Sequence, residues 1–533
     1  MATRFVFIIL SILVSSCGMA SVIPHEENKV EDRQITVSST AELEQAVGSL
    51  KPDSGTEIIL TDGKYHNIKL IVSESGILGD SIVIRAQNPG KVSFTGDVKV
   101  ELRGNYIVLK GIVFRDGTRN QSEWRSHGPG LVAIYGSHVR VSGCLFHRFD
   151  TADSAWITTS LDEKGNVPQH CRIDHCAFIE KTTYDQVINL NNTPKKSETG
   201  EAGVPMYHRI DHCYFSNPKK VGNAGGGIRI GYWRKDYGRC LVDHNLFERQ
   251  DSEPEIITGK STENIYLNNT ILNCRGTLNF RHGDRQVAIN NFFIGSDRRF
   301  EYGGMFVWGS GHIIANNYFS LPNTIASRGN AALYFNPGPP ESEHALAYNI
   351  DVVGNIFADN NGYDIHFSPL YPQRIKAFGD RTKLPYDIRF AGNIFFASPS
   401  KKSDYTVFCD EHNIAGQQQW EQNFYTGCAS GLISDPKGFE NKPFETTFSD
   451  GRIYPSKDIL SNGKFELRMK AIQGLDIDFE AITQGGITGK PLTRADVGPL
   501  WCGGVFPGTY ADNGVSDKEL KARLKANKER TER

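Results

Sequence analysis

RIDHCAF (172–178), RIDHCYF (209–215) and LVDHNLF (241–247) are three copies of one short unit. The unit extends back to VSGCLF (141–146) and forward through LNNTI (267–271), INNFF (289–293), ANNYF (315–319), VGNIF (353–357) and AGNIF (391–395). What persists is Asn or Cys, any residue, then Phe or Ile. The final positions of successive copies lie 32, 37, 32, 24, 22, 26, 38 and 38 residues apart. A constant short strand followed by a remainder of varying length marks a parallel β-helix. Each coil stacks its strands on those of the next, and insertions leave as surface loops. The expected fold is all-β, a single-stranded parallel β-helix (a solenoid) with surface loops and a short C-terminal helix.

This repeat assigns roles to much of the chain. The Phe and Ile positions stack in the core. Asn245, Asn269, Asn291, Asn317, Asn355 and Asn393 form a ladder at a turn, satisfying backbone groups. Cys144, Cys176 and Cys213 occupy the same slot in earlier coils, which makes them a buried stack of small side chains rather than disulfides or metal ligands. His175, His212 and His244 repeat with the coil and read as turn residues despite their resemblance to Cys/His metal motifs. Upstream, 57–72, 81–86, 91–96 and 105–114 are short strands with Gly/Asp turns that suit the first coils. Residues 400–510 are less repetitive and are expected to hold late coils and a C-terminal cap. With no Pro/Ser linker, residues 36–510 form one domain, followed by a charged helical tail at 511–533.

The chain has 533 residues, 39% hydrophobic, with 53 glycines, which suits a large core with many turns. A net charge of −2 gives no global field for polyanions, so nucleic acid is not expected as a partner and any anionic ligand needs local arginines. MATRFVFIILSILVSSCGMA (1–20) has signal-peptide grammar, too short for a comfortable span. Val14-Ser15-Ser16-Cys17 resembles a lipoprotein box, which would lipidate Cys17 and anchor the chain to a membrane; Gly18-Met19-Ala20 suits ordinary signal cleavage. Either way export from a bacterial cell is expected, to the periplasm, the cell surface or the medium. A monomer is expected.

The block richest in chemistry is 222–285. GNAGGGIRIGYW (222–233) fails the spacing of a nucleotide loop and leads into a strand rather than a helix. In DSEPEIITGK (251–260), Glu253 and Glu255 crowd two anions beside an apolar run. Asn223 precedes Glu253 by 30 residues and Lys260 precedes Arg281 by 21, both near coil periods, so one face collects Asn223, Glu253, Glu255, Lys260, Arg281 and His282. Two carboxylates and an amide oxygen form a hard-oxygen set suited to Ca²⁺. A lone Glu-x-Glu is more often a solvated strand face.

At these residues the sequence resembles polysaccharide lyase family 6, and within it the chondroitinase B (dermatan sulfate lyase) group. The resemblance runs from about residue 50 to 510 and rests on KVSFTGDVKVELRG, SHGPGLVAIYGS, VPQHCRIDHC, NAGGGIRIGY, RQDSEPEIIT, NFRHGD, YGGMFVWGS, SRGNAALY and SEHALA. It implies a right-handed parallel β-helix, a glycosaminoglycan substrate and Ca²⁺-assisted β-elimination at a uronate. It implies that Asn223, Glu253 and Glu255 are calcium ligands, Lys260 the base, and Arg281 the acid or charge stabiliser with His282 beside it. Tyr232, Trp308, Arg328, Glu343 and Arg374 match positions lining the substrate cleft. Two departures touch the substrate arms: Gln373-Arg374 stands where the pattern has two arginines, and Lys195 or Lys196 replaces a loop arginine.

Lysine must be neutral to act as a base, so Ca²⁺ and Arg281 are expected to lower the pKa of Lys260. Arginine holds its proton too tightly to be a literal acid, which leaves His282 or water as the proton donor. Alginate lyase activity with the same residues is the alternative within the family. A non-catalytic glycan-binding solenoid is the alternative outside it, disfavoured by the presence of both Lys260 and Arg281.

Overall fold

Glu57–Leu60, Gly63–His66 and Lys69–Val72 make the first complete coil. Ile58, Leu60, Tyr65, Leu70 and Val72 point inward and are buried. Residues between them alternate outward, as the two-residue period of a strand requires. The computed structural model describes residues 33–508 except 119–127, 152–153, 193–202, 220–224, 326–329, 370–373, 376–378, 400–405, 450, 457–458 and 460–464. The leader with Cys17, the charged tail, Lys195, Lys196, Asn223, Arg328 and Gln373 therefore lie outside the described residues.

Among the described residues the three strands of each coil extend into three parallel sheets, of 14, 14 and 12 strands in the order the chain meets them. With this topology the chain is a right-handed parallel β-helix. Pairing is in register from coil to coil. Val141, Ile173, Ile210, Val242 and Tyr266 stand over one another in the first sheet, and Phe146, Phe178, Phe215 and Phe247 in the second. The phenyl rings of that second column stack with centroids 5.1, 5.0 and 4.6 Å apart.

The chain passes from first to second sheet through one left-handed residue. Gly143, His175, His212, His244, Asn268, Asn290, Asn316, Gly354 and Gly392 take this place, with φ between 49° and 63°. The next residue is the Cys or Asn of the repeat. Asn291 shows what that residue does. Its Nδ2 donates to Tyr266 O at 2.9 Å, and its Oδ1 accepts the Asn269 backbone N–H at 3.0 Å. Its own N–H goes to Asn317 Oδ1 at 2.9 Å. The ladder runs from Asn245 to Asn393 and gains one rung, Asn423. Cys144, Cys176 and Cys213 continue it as buried thiols, and all nine described cysteines are free. His175, His212 and His244 stack outside with ring centroids 4.9 and 5.0 Å apart, each on its own preceding Asp. Arg140, Arg172 and Arg209 each reach the Asp one coil on, so RIDH is a charge ladder and not a metal motif.

The two ends differ from expectation. Thr40–Gly48 is a helix that the repeat did not announce; Ser39 caps its N-terminus, and Leu43 and Ala46 close the open end of the core. The coils finish at Phe439–Asn441. Instead of a cap, residues 465–508 turn back and travel along the outside of the solenoid. Asn316 Nδ2 donates to Thr483 O and Gly486 O, Arg494 pairs with Glu248, Gly498 N–H meets His212 O and the Trp501 indole meets Gly143 O. Leu467, Ile472 and Phe479 cover the outer apolar row of the first sheet, while Val497 and Phe506 cover that of the second.

Replacing Asn291 with Ala leaves Tyr266 O and the Asn269 N–H buried without partners, so the Asn291→Ala variant should lose roughly 2–5 kcal/mol in denaturant unfolding. An unchanged midpoint would show that the ladder is decorative.

Candidate active site

The third sheet differs on its outer face. One outward residue per coil forms a register column: Asn189, Arg229, Thr258, Asn279, Phe306 and Tyr334. All are buried. The column is polar at its middle coils and aromatic beyond them, where Phe306, Trp308, Ala331 and Tyr334 cluster.

One position past the strands lies a second column, Lys260, Arg281 and Trp308. Their backbone N–H groups bond to Ile230 O, Gly259 O and Phe280 O one coil earlier, each at 2.9 Å. The coil period thus places Lys260 beside Arg281, as their spacing predicts. Burial pushes the Lys260 ammonium down to about 8, and the Arg229 guanidinium is the next cause, with Glu253 and Asp185 pulling back. Arg281, expected to lower it, is not among the causes. The residue responsible is Arg229, which stands two positions before Gly231 in the IRI strand, outward between two core isoleucines. Strand alternation in IRIG (228–231) was the signal that could have found it. Lys260 Nζ and the Arg229 guanidinium both lie over the Tyr232 ring, at 5.0 and 5.4 Å.

Glu253 and Glu255 do not share a strand. Glu255 opens Glu255–Gly259, and the register slips between Glu255 and Ile257, whereas Glu253 lies in the bend before it. Glu255 pairs with the Arg281 guanidinium and accepts the Thr258 hydroxyl at 2.8 Å. Glu253 accepts the Gly226 N–H at 2.8 Å, an approach so close that a Cβ on Gly226 would sit 2.7 Å from the carboxylate. Burial raises the Glu253 carboxyl, and no ion pair reaches it among the described residues. Beside it the Gln186 amide donates at 3.4 Å, and the Gln186 Oε1 is buried without a donor. A buried carboxylate without a counter-charge, next to an orphaned amide oxygen, fits a hard cation bound through oxygen. No group of three or more His, Cys, Asp or Glu among the described residues could hold one, so amide oxygens must complete such a set.

His282 is buried and its imidazole sits well below the usual range, because of burial first and then His344, Lys260 and Arg281. Its Nδ1 faces Tyr232 O at 3.2 Å, which fixes the proton there and leaves Nε2 as a bare acceptor. That tautomer makes His282 a poor proton donor. Glu343 stands 3.8 Å from His282 and accepts the Arg234 N–H at 2.8 Å. Arg234 also grips Asp284 at 3.0 Å, tying the Glu343 loop to the turn that carries Arg281. Neither Arg234 nor Asp284 was singled out from the sequence. Tyr232, Trp308 and Glu343 therefore gather around Lys260, Arg281 and His282. For Arg374 the backbone alone is described, in a two-residue strand paired with Gly379–Asp380.

The family model described as Chondroitinase B matches residues 37–467. The chain belongs to the chondroitinase B family. No curated protein matches it in sequence. Among solved structures it is similar to the family 6 alginate lyase AlyGC, with 22% identity and a TM-score of 0.67 over 91% of this chain and 60% of that one. This chain thus spans about 60% of the length of AlyGC. It is similar to a mannuronic acid specific family 6 lyase from human gut microbiota, with 23% identity, a TM-score of 0.60, and coverage of 76% and 90%. A family 6 alginate lyase in complex with a trisaccharide gives 19% identity, a TM-score of 0.62, and coverage of 80% and 91%. These likenesses establish the shared solenoid; the family assignment rests on the chondroitinase B match.

Because Lys260 is depressed to about 8, a reaction that uses it as base should rise with pH and level off above that value. Removing the Arg229 charge favours the protonated amine, so in Arg229→Met the rising limb of kcat/KM should move to higher pH. A limb that stays in place would assign it to another group.

Proposed function

We propose that this member of the chondroitinase B family is a polysaccharide lyase that cleaves dermatan sulfate by β-elimination at the uronate. The observation that carries the reading is a buried lysine amine, depressed to about 8, set one coil from an arginine in the same register column. A base poised near neutrality is what removal of a weakly acidic proton needs.

In this reading Lys260 removes the proton at C5 of the uronate. The electron pair of that C–H bond becomes the C4–C5 double bond, and the C4–O bond breaks with its electrons on the departing oxygen. Water supplies the proton that this oxygen takes up, since Arg281 holds its own and His282 Nε2 carries none. Arg281 stands beside Lys260 as a fixed positive charge, and its pairing with Glu255 sets its direction. Tyr232 shields the amine from water and positions His282 through its carbonyl. Ca²⁺ would be held by Glu253, Glu255 and Asn223, and when bound supplies positive charge that offsets the uronate carboxylate.

A second reading is alginate lyase activity with the same residues, favoured by the alginate lyases among the solved structures of similar fold. Both readings predict an unsaturated product that absorbs in the ultraviolet. Dermatan sulfate, chondroitin 4-sulfate and alginate should be offered in turn, with and without a chelator. Turnover of dermatan sulfate above the other two supports the proposal, and preference for alginate supports the second reading. Lys260→Ala should lower turnover by at least about 10²–10⁴-fold while the melting temperature holds. Substantial turnover in that variant removes Lys260 as the base, and activity unaffected by chelation removes calcium.

A further inference from the structure

Arg381 follows directly on the small hairpin of Arg374–Ile375 and Gly379–Asp380. Lys383 O, two residues further, accepts the Gly338 N–H at 3.1 Å and fixes the backbone against the loop that leads to Glu343. The side chain is 5% exposed, and its guanidinium lies over the Trp308 ring at 5.7 Å. Almost every other buried or half-buried arginine around the site has a carboxylate or an amide: Arg234 has Asp284, Arg281 has Glu255 and Arg229 has Asn191. Arg381 has neither an ion pair nor a hydrogen bond among the described residues, and its Nε is buried without an acceptor. Burial alone lowers its affinity for the proton, with no acid nearby to restore it. The Trp308 Nε1–H beneath it is also buried and lacks an acceptor. Arg381 is close enough to His344 to help push that imidazole down to about 2, after burial and Arg281.

A buried arginine without a counter-charge is costly, and a planar fork of donors beside an unsatisfied indole N–H calls for an oxyanion. The register column places this pair on the Trp308 side of Arg281, one coil beyond it and so two coils along the cleft from Lys260. We propose that Arg381, with the Trp308 indole, binds an oxyanion on the sugar next to the one cleaved, either a sulfate ester or the carboxylate of a neighbouring uronate. The site is a recognition subsite for acidic glycans and rests on the proposed lyase reading.

The test measures KM and kcat on dermatan sulfate, its desulfated form and alginate for the wild type, Arg381→Gln and Arg381→Lys. Dissociation constants for the same polymers are measured in a Lys260→Ala background, where chains stay intact. Arg381→Gln should raise KM and the dissociation constant at least tenfold, with the larger part of the loss in KM, and Arg381→Lys should restore part of it. The melting temperature of Arg381→Gln should be no lower than that of the wild type, because no pair is broken. Loss confined to the sulfated polymer identifies the sulfate, and equal loss on all three identifies the carboxylate. Weakened binding in Arg381→Gln with no wild-type turnover of any polymer would overturn the lyase reading and leave the oxyanion site standing. Unchanged KM and dissociation constants on every polymer would overturn the site itself.

Discussion

Register between coils is the constraint on which the rest of this structure depends. Each strand of the three large sheets pairs in parallel with the strand one coil away, without slipping, except at the bulges near Phe94 and Glu255. Register is strongly held because a one-residue slip would turn every phenylalanine of the core outward. The asparagine ladder adds a second lock, since each amide satisfies backbone groups of the coils on either side. Residues 20 to 40 apart in sequence are thereby fixed as vertical neighbours. Lys260, Arg281 and Trp308 form a column for the same reason that Phe146, Phe178 and Phe215 do.

This constraint explains what could be read from the sequence. The repeat of Asn or Cys before Phe or Ile gave the solenoid, the ladder and the proximity of Lys260 to Arg281, because all three follow from period alone. Arg229, Gln186 and Arg234 were not legible in the same way. Their roles come from what their side chains reach across coils, and loop lengths between strands set that reach. Arg381 was hidden for another reason: its chemistry lies in partners it lacks. The helix at Thr40–Gly48 was written in the sequence as Ser-Thr-Ala-Glu, a capping pattern, but a search for strands passed over it. The two glutamates show the opposite error. Residues two apart would share a strand face if the strand began before them, but the bend at Pro254 and the slip after Glu255 give them different neighbours.

The electrostatics of the cleft are built from asymmetry. Arg281 pairs with Glu255, while among the described residues Glu253 makes no ion pair and Arg381 makes neither an ion pair nor a hydrogen bond. Both are buried, and Glu253 acts on a lysine whose own charge is weakened by burial. A folded chain keeps such groups only where surrounding packing outweighs their cost, and a long stack of coils supplies that rigidity.

The return path of residues 465–508 has a consequence for how the molecule is made. Coils can stack in the order they are synthesised, each new turn using the previous one as its template. Their outer apolar rows stay wet until residues 465–508 have emerged, because Leu467, Ile472 and Phe479 seal coils built from residues 265–391, and Val497 and Phe506 seal earlier ones built from residues 113–246. The final segment thus runs against the direction of growth and closes the oldest surfaces last. A chain interrupted before that point would be a stacked rod with its outer apolar rows bare, prone to join its neighbours side by side, and residues 465–508 are what cover those rows.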